Sequence, residues 1–514
     1  MESEPAKTNE AGLEPPRPAL APPPPSLPEG RPADPRRTEA TRLGRNFTAV
    51  AVAQFLAQVL ALVISVTLAR TLGVSAYGVF VFGFAFPNWF LILVGLGLDS
   101  VITIDVAADR SRAPHYLTAV GLLRVPLLAG TLIALWISVR FALADPTAQL
   151  VTFLLGTSTI VSQFAQMFPS IFRAFERLEY VALISVLAQI ITTITVLALL
   201  FSGAGLVPVS VAYLVISILT TAVSMVLCYR RFAWFAPRAN KALMGKILRE
   251  TAPFGLADVM GTFLGYGAPV LLTLLASSIA TGIFNAAFSI TNALRAPLAL
   301  YSVAALPAMA RFHGGEKEKL GITVQKSQKL FFILALPLAL GGWFYRESII
   351  TLFYGSAFFG SGDSFGILVF TVATSAAALG ASAALAAIGR QTINLMIGIV
   401  GASLNLGLDV LLIPTMGPTG AAWAFLVASV VMATATLVVV ARFGVKVDLV
   451  EILLRPCAAG GVMLLALYFL PIPHIFVGIA IGGLVYFGTL ILIRGIRRDD
   501  WDLVRQIVRG ALFR

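Results

Sequence analysis

Gly78-Val-Phe-Val-Phe-Gly-Phe-Ala-Phe86 opens one apolar run of this 514-residue chain, and Gly282-Ile-Phe-Asn-Ala-Ala-Phe-Ser-Ile290 opens another 204 residues later. A second pair keeps a compatible spacing: Ala174-Phe-Glu-Arg177 precedes one run, and Ala387-Ile-Gly-Arg390 precedes another. Six apolar runs separate the members of each pair, so both halves of the chain keep the same orientation. That is the pattern of a parallel internal repeat about an axis along a membrane normal.

Around these stretches the chain divides into fourteen apolar runs, roughly 47–68, 77–98, 116–139, 149–172, 180–201, 207–228, 252–275, 282–306, 330–345, 364–388, 392–413, 419–440, 452–470 and 475–493. Most reach the ~20 residues with which a helix crosses ~30 Å of hydrocarbon. Charged residues make up only 12% of the chain and hydrophobic ones 58%, against about 25% charged in a soluble domain. A soluble fold cannot hide that much apolar surface; a bilayer can. The expected fold is an all-α polytopic membrane protein of fourteen transmembrane helices: two six-helix lobes in parallel repeat, followed by two further helices.

Charge orients the bundle. With a cytoplasmic N-terminus, 32 of the 37 Lys and Arg residues fall on the inward side. Arg70, Arg140 and Arg346 then lie in outward loops, and Arg124 and Arg295 sit deeper inside spans, Arg455 being at the inward end of its run. Positive residues flanking membrane helices collect on the cytoplasmic side, which places both termini there. An odd number of spans would carry the basic tail Arg494–Arg514 outside and break the pattern. The net charge of +12 would suggest nucleic acid in a soluble protein; here the positive-inside bias accounts for it, and no nucleic-acid partner is expected. Cys228 and Cys457 make neither a disulfide framework nor a zinc site.

Eleven of the 28 prolines lie within residues 5–35. Such a segment favours polyproline II and cannot build a core. The expected organisation is a disordered, proline-rich cytoplasmic tail (1–40), an N-lobe (41–230) and a cytoplasmic inter-lobe linker (231–251). A C-lobe (252–441) follows, then helices 13 and 14 with a basic cytoplasmic tail (442–514). The longest inward loops are 229–251 and 311–329 and the longest outward one is 346–363. None can hold a soluble catalytic domain, so the function is expected within the helical bundle.

Several punctuating motifs resemble those of the polysaccharide transporter family, the O-antigen and exopolysaccharide flippases of the multidrug/oligosaccharidyl-lipid/polysaccharide exporter superfamily. The first-hairpin signature is similar to Leu68-Ala-Arg-Thr-Leu-Gly73, Ala76-Tyr-Gly78 and Gly95-Leu-Gly-Leu-Asp99. The central one resembles Gly282-Ile-Phe-Asn-Ala-Ala287 with Leu306-Pro-Ala-Met-Ala-Arg311. The late one resembles Asn405-Leu-Gly-Leu-Asp-Val-Leu-Leu-Ile-Pro414, then Gly417 and Gly420-Ala-Ala422. Two positions depart from the pattern. Relatives often carry an Arg shortly after the first Gly-Leu pair, where this chain reads Asp99-Ser-Val-Ile-Thr-Ile-Asp105, and often Asn where Asp409 stands. The resemblance implies two six-helix lobes facing a central cavity, and movement of an undecaprenyl-diphosphate-linked glycan from the inner to the outer leaflet of the bacterial cytoplasmic membrane. It also implies membrane lipid and polysaccharide-assembly proteins as partners.

Carrying a diphosphate through a bilayer calls for fixed cations, because an unpaired phosphate in low dielectric is severely penalised. Arginine suits the task, with its permanent charge and planar fork. Arg295 is the leading candidate, since Asn292 and Asn285 share one polar face of its helix at 100° per residue. The alternative for Arg295 is a salt bridge, for instance to Asp258. Arg124 is either a second substrate cation or a side chain snorkelling to the interface. Gln54 and Gln58, one turn apart, are candidates for sugar hydroxyls or for helix-to-helix hydrogen bonds, as are Asn88, Gln163, Gln166 and Gln189. Arg45 is a candidate for phosphate or headgroup contact, or a topology anchor. Asp258 is the candidate for ion coupling, and Asp409 is neutral, paired or ion-binding. No cofactor or metal is expected; a proton, sodium ion or the membrane potential would drive transport.

Two other classes stay in view. A membrane glycan polymerase or ligase needs a catalytic constellation outside, whereas Arg70, Arg140, Asp145, Arg346, Glu347, Asp363 and His474 are scattered over separate outward loops. A transporter is therefore expected rather than an enzyme. Within transporters, a peptidoglycan lipid-precursor flippase and a small-molecule exporter of the same fold are the alternatives. The exporter would favour buried carboxylates over arginine.

Overall fold

The computed structural model describes residues 35–95, 97–236, 241–310, 317–444, 449–470 and 474–495. It is all-helical among the described residues. The helices are α1 (Pro35–Gly95), α2 (Leu98–Ala108), α3 (Ala113–Ala142), α4 (Pro146–Ala165), α5 (Met167–Ala174), α6 (Leu178–Phe201), α7 (Leu206–Arg231), α8 (Lys241–Leu275) and α9 (Ser278–Ala310). Then come α10 (Lys317–Phe344), α11 (Arg346–Tyr354), α12 (Ser361–Leu368), α13 (Phe370–Ala387), α14 (Gln391–Met416), α15 (Pro418–Arg442), α16 (Leu449–Phe469) and α17 (Ile475–Leu492). Residues 1–43 form one compact unit, of which 35–43 are described and helical. Residues 44–514 form the other.

Eleven helical stretches among the described residues are long and apolar enough to cross a membrane, against the fourteen runs expected. The first of them, Gln54–Leu91, reverses at Gly73, whose φ of 81° and ψ of 176° interrupt the helix. Along a straight helix, Ser65 and Tyr77 would lie about 18 Å apart. Their hydroxyls are 2.6 Å apart. This stretch is therefore a hairpin that makes two passes. Large apolar side chains such as Phe141, Phe201 and Leu492 remain exposed, as is usual where the solvent is lipid.

The repeat has a direct structural trace. A Cβ added to Gly78 would lie 1.7 Å from the Ser278 carbonyl oxygen, and one added to Gly282 would lie 2.4 Å from the Val74 carbonyl oxygen. Residues 74 and 278 are spaced by the same 204 positions as 78 and 282. The contact is thus reciprocal, as across a two-fold interface. Only glycine lets two helices approach this closely. The second pair of motifs also matches in shape: Glu176 (φ 60°) and Gly389 (φ 74°) take the same left-handed turn at their helix ends. Both turns close with equivalent hydrogen bonds, Arg177 N–H to Phe172 O and Arg390 N–H to Leu385 O, each 2.8 Å.

Three expectations of irregular backbone are corrected. The linker was expected at 231–251, but α8 begins at Lys241, because buried Ile247 joins an apolar cluster with α2 and α3. The inward loop was expected at 311–329, but α10 starts at Lys317 and buries Leu320 and Val324. The disordered tail was expected to reach residue 40, but α1 starts at Pro35, and proline is well tolerated at the start of a helix. The rest of that tail and the basic tail after 495 lie outside the described residues. The two C-terminal helices α16 and α17 pack on each other, and both touch α10.

Candidate functional site

The two halves meet through a compact polar cluster. Ser65 lies 2.6 Å from the Tyr77 hydroxyl and 2.8 Å from that of Tyr354. Asn285 donates to Tyr77 (2.7 Å) and to Ser289 (3.3 Å), and Ser75 and Ser278 lie 3.4 Å apart. Tyr77 and Tyr354 are buried, and their rings pack with that of Phe358. Because Gly78 and Gly282 allow close approach, these hydroxyls can reach across. The cluster seals one end of the bundle, the end that also carries Arg70 and α11.

This seal orients α9. Gly282, Asn285 and Ser289 all touch the opposite half, and Asn292 continues the same helical stripe at a seven-residue spacing. Arg295 follows one turn later on an adjoining line. At 1.5 Å per residue it lies about 15 Å beyond Asn285, away from the sealed end. It stands midway along α9, about 80° round the helix from Asn285, on a side that meets α15 of its own half. Its guanidinium is half-buried and sits over the Phe425 ring, 5.7 Å from the centroid, within the range of a cation–π contact. No acid pairs with Arg295 among the described residues. The Asp258 side chain lies outside the described residues, as does that of Arg45. Asn88 stands 204 positions before Asn292, so the repeat places an amide at the matching position of each half; Asn88 donates to Phe84 O on its own helix.

Arg124 does not snorkel. It is fully buried, and its Nη2 lies 2.8 Å from Asp99 Oδ2, though without the alignment of a hydrogen bond. Nη1 donates to Gln163 O (3.2 Å) and Phe164 O (3.4 Å), while Nε has no partner. Arg124 is thus tied inside the first half, away from Arg295. The two nearby acids are engaged as well. Asp99 pairs with Arg124 and Asp105 with Lys246 (2.9 Å), whereas Arg110 pairs with Glu176 and Arg112 with Asp109. Burial pushes the Asp105 carboxyl up, but hydrogen bonds from Tyr116 and Lys246 more than offset this and hold it below the usual carboxylate range. A depressed value stabilises the fold above the ordinary carboxylate pKa and is lost only as pH falls through it. The contact therefore persists at neutral pH and fixes the start of α8 to the first half.

A second polar pair lies wholly within the later half. Asn405 and Asp409 are one turn apart on α14, 1% and 0% exposed. Among the described residues, neither carboxylate oxygen of Asp409 nor Asn405 Nδ2 has a hydrogen-bond partner. A bare carboxylate there is untenable, so this position requires a proton or a cation. Gln54 is exposed and Gln58 half-buried on α1. The structure brings neither to Arg295.

The sequence reading named none of Ser65, Tyr77, Tyr354, Ser289 and Asn405 as a candidate site residue, although Tyr77, Ser289 and Asn405 lie within its motifs. For Asn405 there was a signal: its four-residue spacing from a buried acid. For the hydroxyls there was none, because their partners lie up to 289 positions away in sequence.

A family model for polysaccharide biosynthesis proteins matches residues 43–313, just over half of the chain. Among solved structures, the lipid II flippase MurJ in an inward closed conformation is similar at 16% identity with a TM-score of 0.73, covering 87% of this chain and 98% of that one. An inward-facing multidrug resistance transporter of the MATE family and MOP superfamily is similar at 17% identity (TM-score 0.63, 77% and 98% covered). An outward-facing MATE transporter is similar at 16% identity (TM-score 0.57, 79% and 97% covered). At such identities these structures share the fold. No curated protein matches by sequence.

Proposed function

Since this chain belongs to the polysaccharide biosynthesis protein family, we propose that it flips an undecaprenyl-diphosphate-linked oligosaccharide from the inner to the outer leaflet of the bacterial cytoplasmic membrane, for surface polysaccharide assembly. The observation that carries the reading is Arg295: a cation without an acid partner among the described residues, midway along α9 and held only over the Phe425 ring among the described contacts. Two phosphates would supply the missing counter-charge, in the bidentate geometry that a guanidinium favours. Asn292 and Asn88 would meet sugar hydroxyls, and the lipid tail would stay in the bilayer. Transport follows by alternating access, one half rocking against the other. Both termini are cytoplasmic by the positive-inside bias, so the sealed end with Arg70 faces outward and the cavity opens inward.

The likeness to a lipid II flippase favours a second reading, a peptidoglycan-precursor flippase, since that substrate is also a lipid-linked glycan. Depleting the protein separates the two. Loss of surface polysaccharide with an intact cell wall is expected; lysis with accumulated cell-wall precursor would replace the first reading with the second.

Coupling falls to Asp409 with Asn405, whose buried, partnerless state fits a site that is alternately protonated, or occupied by sodium, and emptied. Asp409→Asn is expected to remove the dependence of export on a proton or sodium gradient while the protein still inserts. Export that keeps its full gradient dependence in this variant would remove Asp409 from the coupling role.

A further inference from the structure

We propose that α11 is a strap that holds the Arg70 end of the bundle shut, and that Arg70 is its latch. α11 belongs to the later half, where it packs on α9 and α12. It ends at Tyr354, and Gly355 (φ 87°) turns the chain away. The last carbonyls of a helix have no partner within it and carry the negative end of its dipole. Here a cation from the opposite half satisfies them: Arg70 Nε donates to Phe353 O (2.7 Å) and Nη2 donates to Leu352 O. No acid competes for Arg70 among the described residues. One residue further, the Tyr354 hydroxyl reaches Ser65, which in turn reaches Tyr77. The first hairpin thus grips α11 at two adjacent points, one charged and one neutral.

Beside the apolar packing of Tyr77, Tyr354 and Phe358, the grip has a polar part, which suits a contact that must open. An apolar seal loses its stabilisation outright when water enters, whereas carbonyls, hydroxyls and a guanidinium exchange their partners for water at small net cost. Each described hydrogen bond between residues before 231 and residues from 278 onward involves Ser65, Arg70, Ser75 or Tyr77. The resting balance between the closed and open forms of this end should therefore depend on these few contacts. Arg70 holds the strap itself. The inference rests on the proposed orientation only for the statement that this end faces outward.

The test needs no glycan. In a background with Cys228→Ala and Cys457→Ser, Asn292→Cys serves as the reporter below the seal. A membrane-impermeant thiol reagent is applied to either side of oriented vesicles. Arg70→Ala is expected to raise labelling from the Arg70 side about tenfold, the worth of one charge-assisted hydrogen bond, since water replaces part of an exposed pair. Arg70→Lys should raise it less, and Tyr354→Phe, nearly isosteric, should raise it severalfold. Adding Ser75→Cys with Ser278→Cys and an oxidant should return labelling in the Arg70→Ala background to its starting rate. Arg70→Ala and Tyr354→Phe proteins that insert yet label no faster than the parent would overturn the latch. Faster labelling from the cytoplasmic side would keep the latch and overturn the orientation instead.

Discussion

Arg295→Ala should lower export of lipid-linked glycan about a hundredfold while leaving the protein in the membrane at normal abundance. The magnitude follows from what the guanidinium would supply. Hydrogen bonds between charged partners contribute ~1.5–3 kcal/mol each, a bidentate fork makes two, and every 1.4 kcal/mol is about tenfold in an equilibrium. Arg295→Lys keeps the charge but loses the fork, so it should retain more activity than alanine and less than arginine. Stability should change little, because Arg295 is half-buried with a single cation–π contact at Phe425, worth roughly 0.5–2 kcal/mol. Export and membrane abundance measured on the same cells separate transport from folding. Normal export by Arg295→Ala would remove this residue from the site.

Arg124→Ala has the opposite signature: a large loss of stability. Arg124 is fully buried, and its guanidinium partly neutralises Asp99. Removing one member of a buried pair leaves the other charge uncompensated, at a cost of about 3–5 kcal/mol. Asp99 is about a quarter exposed, so water can relieve it in part and the lower end of that range is expected. Replacing both, as in Arg124→Leu with Asp99→Leu, should recover most of the loss, because well-packed apolar residues often substitute for a buried pair at no net cost. Thermal unfolding in detergent reads this directly. A double variant as unstable as Arg124→Ala would mean that the charges serve more than each other.

Much of the fold was legible because a bilayer imposes length and composition on each span. The Gly78 and Gly282 stretches announced the repeat, and those two glycines meet in the structure. The sequence reading erred where polar composition looked like loop. Segments 241–251 and 317–329 carry enough charge to suggest solvent, yet Ile247, Leu320 and Val324 are buried and hold them helical. Helix boundaries depend on tertiary packing that composition alone does not reveal.

The candidate site divides in the same way. Arg295 stood out because a charge inside an apolar run is costly wherever it lies. Arg124 stood out equally, but nothing in the chain order said that Asp99 would meet it rather than Arg110 or Arg112. Asn285 was read with Arg295 as one polar face; in the structure Asn285 is engaged in the seal with Tyr77, while Arg295 packs over Phe425. Tyrosine and serine near helix ends are ordinary, so the seal could not be read before its two halves were brought together.

Passage of a diphosphate-linked glycan past Arg295 can be followed in reconstituted vesicles, as transfer between leaflets of fluorescent undecaprenyl-linked oligosaccharides that differ only in a diphosphate or a monophosphate linkage. The wild-type protein should transfer the diphosphate form much faster than the monophosphate form, and Arg295→Ala should bring both to the rate of protein-free vesicles. Equal transfer of the two forms by the wild-type protein, or unchanged transfer of the diphosphate form by Arg295→Ala, would contradict it.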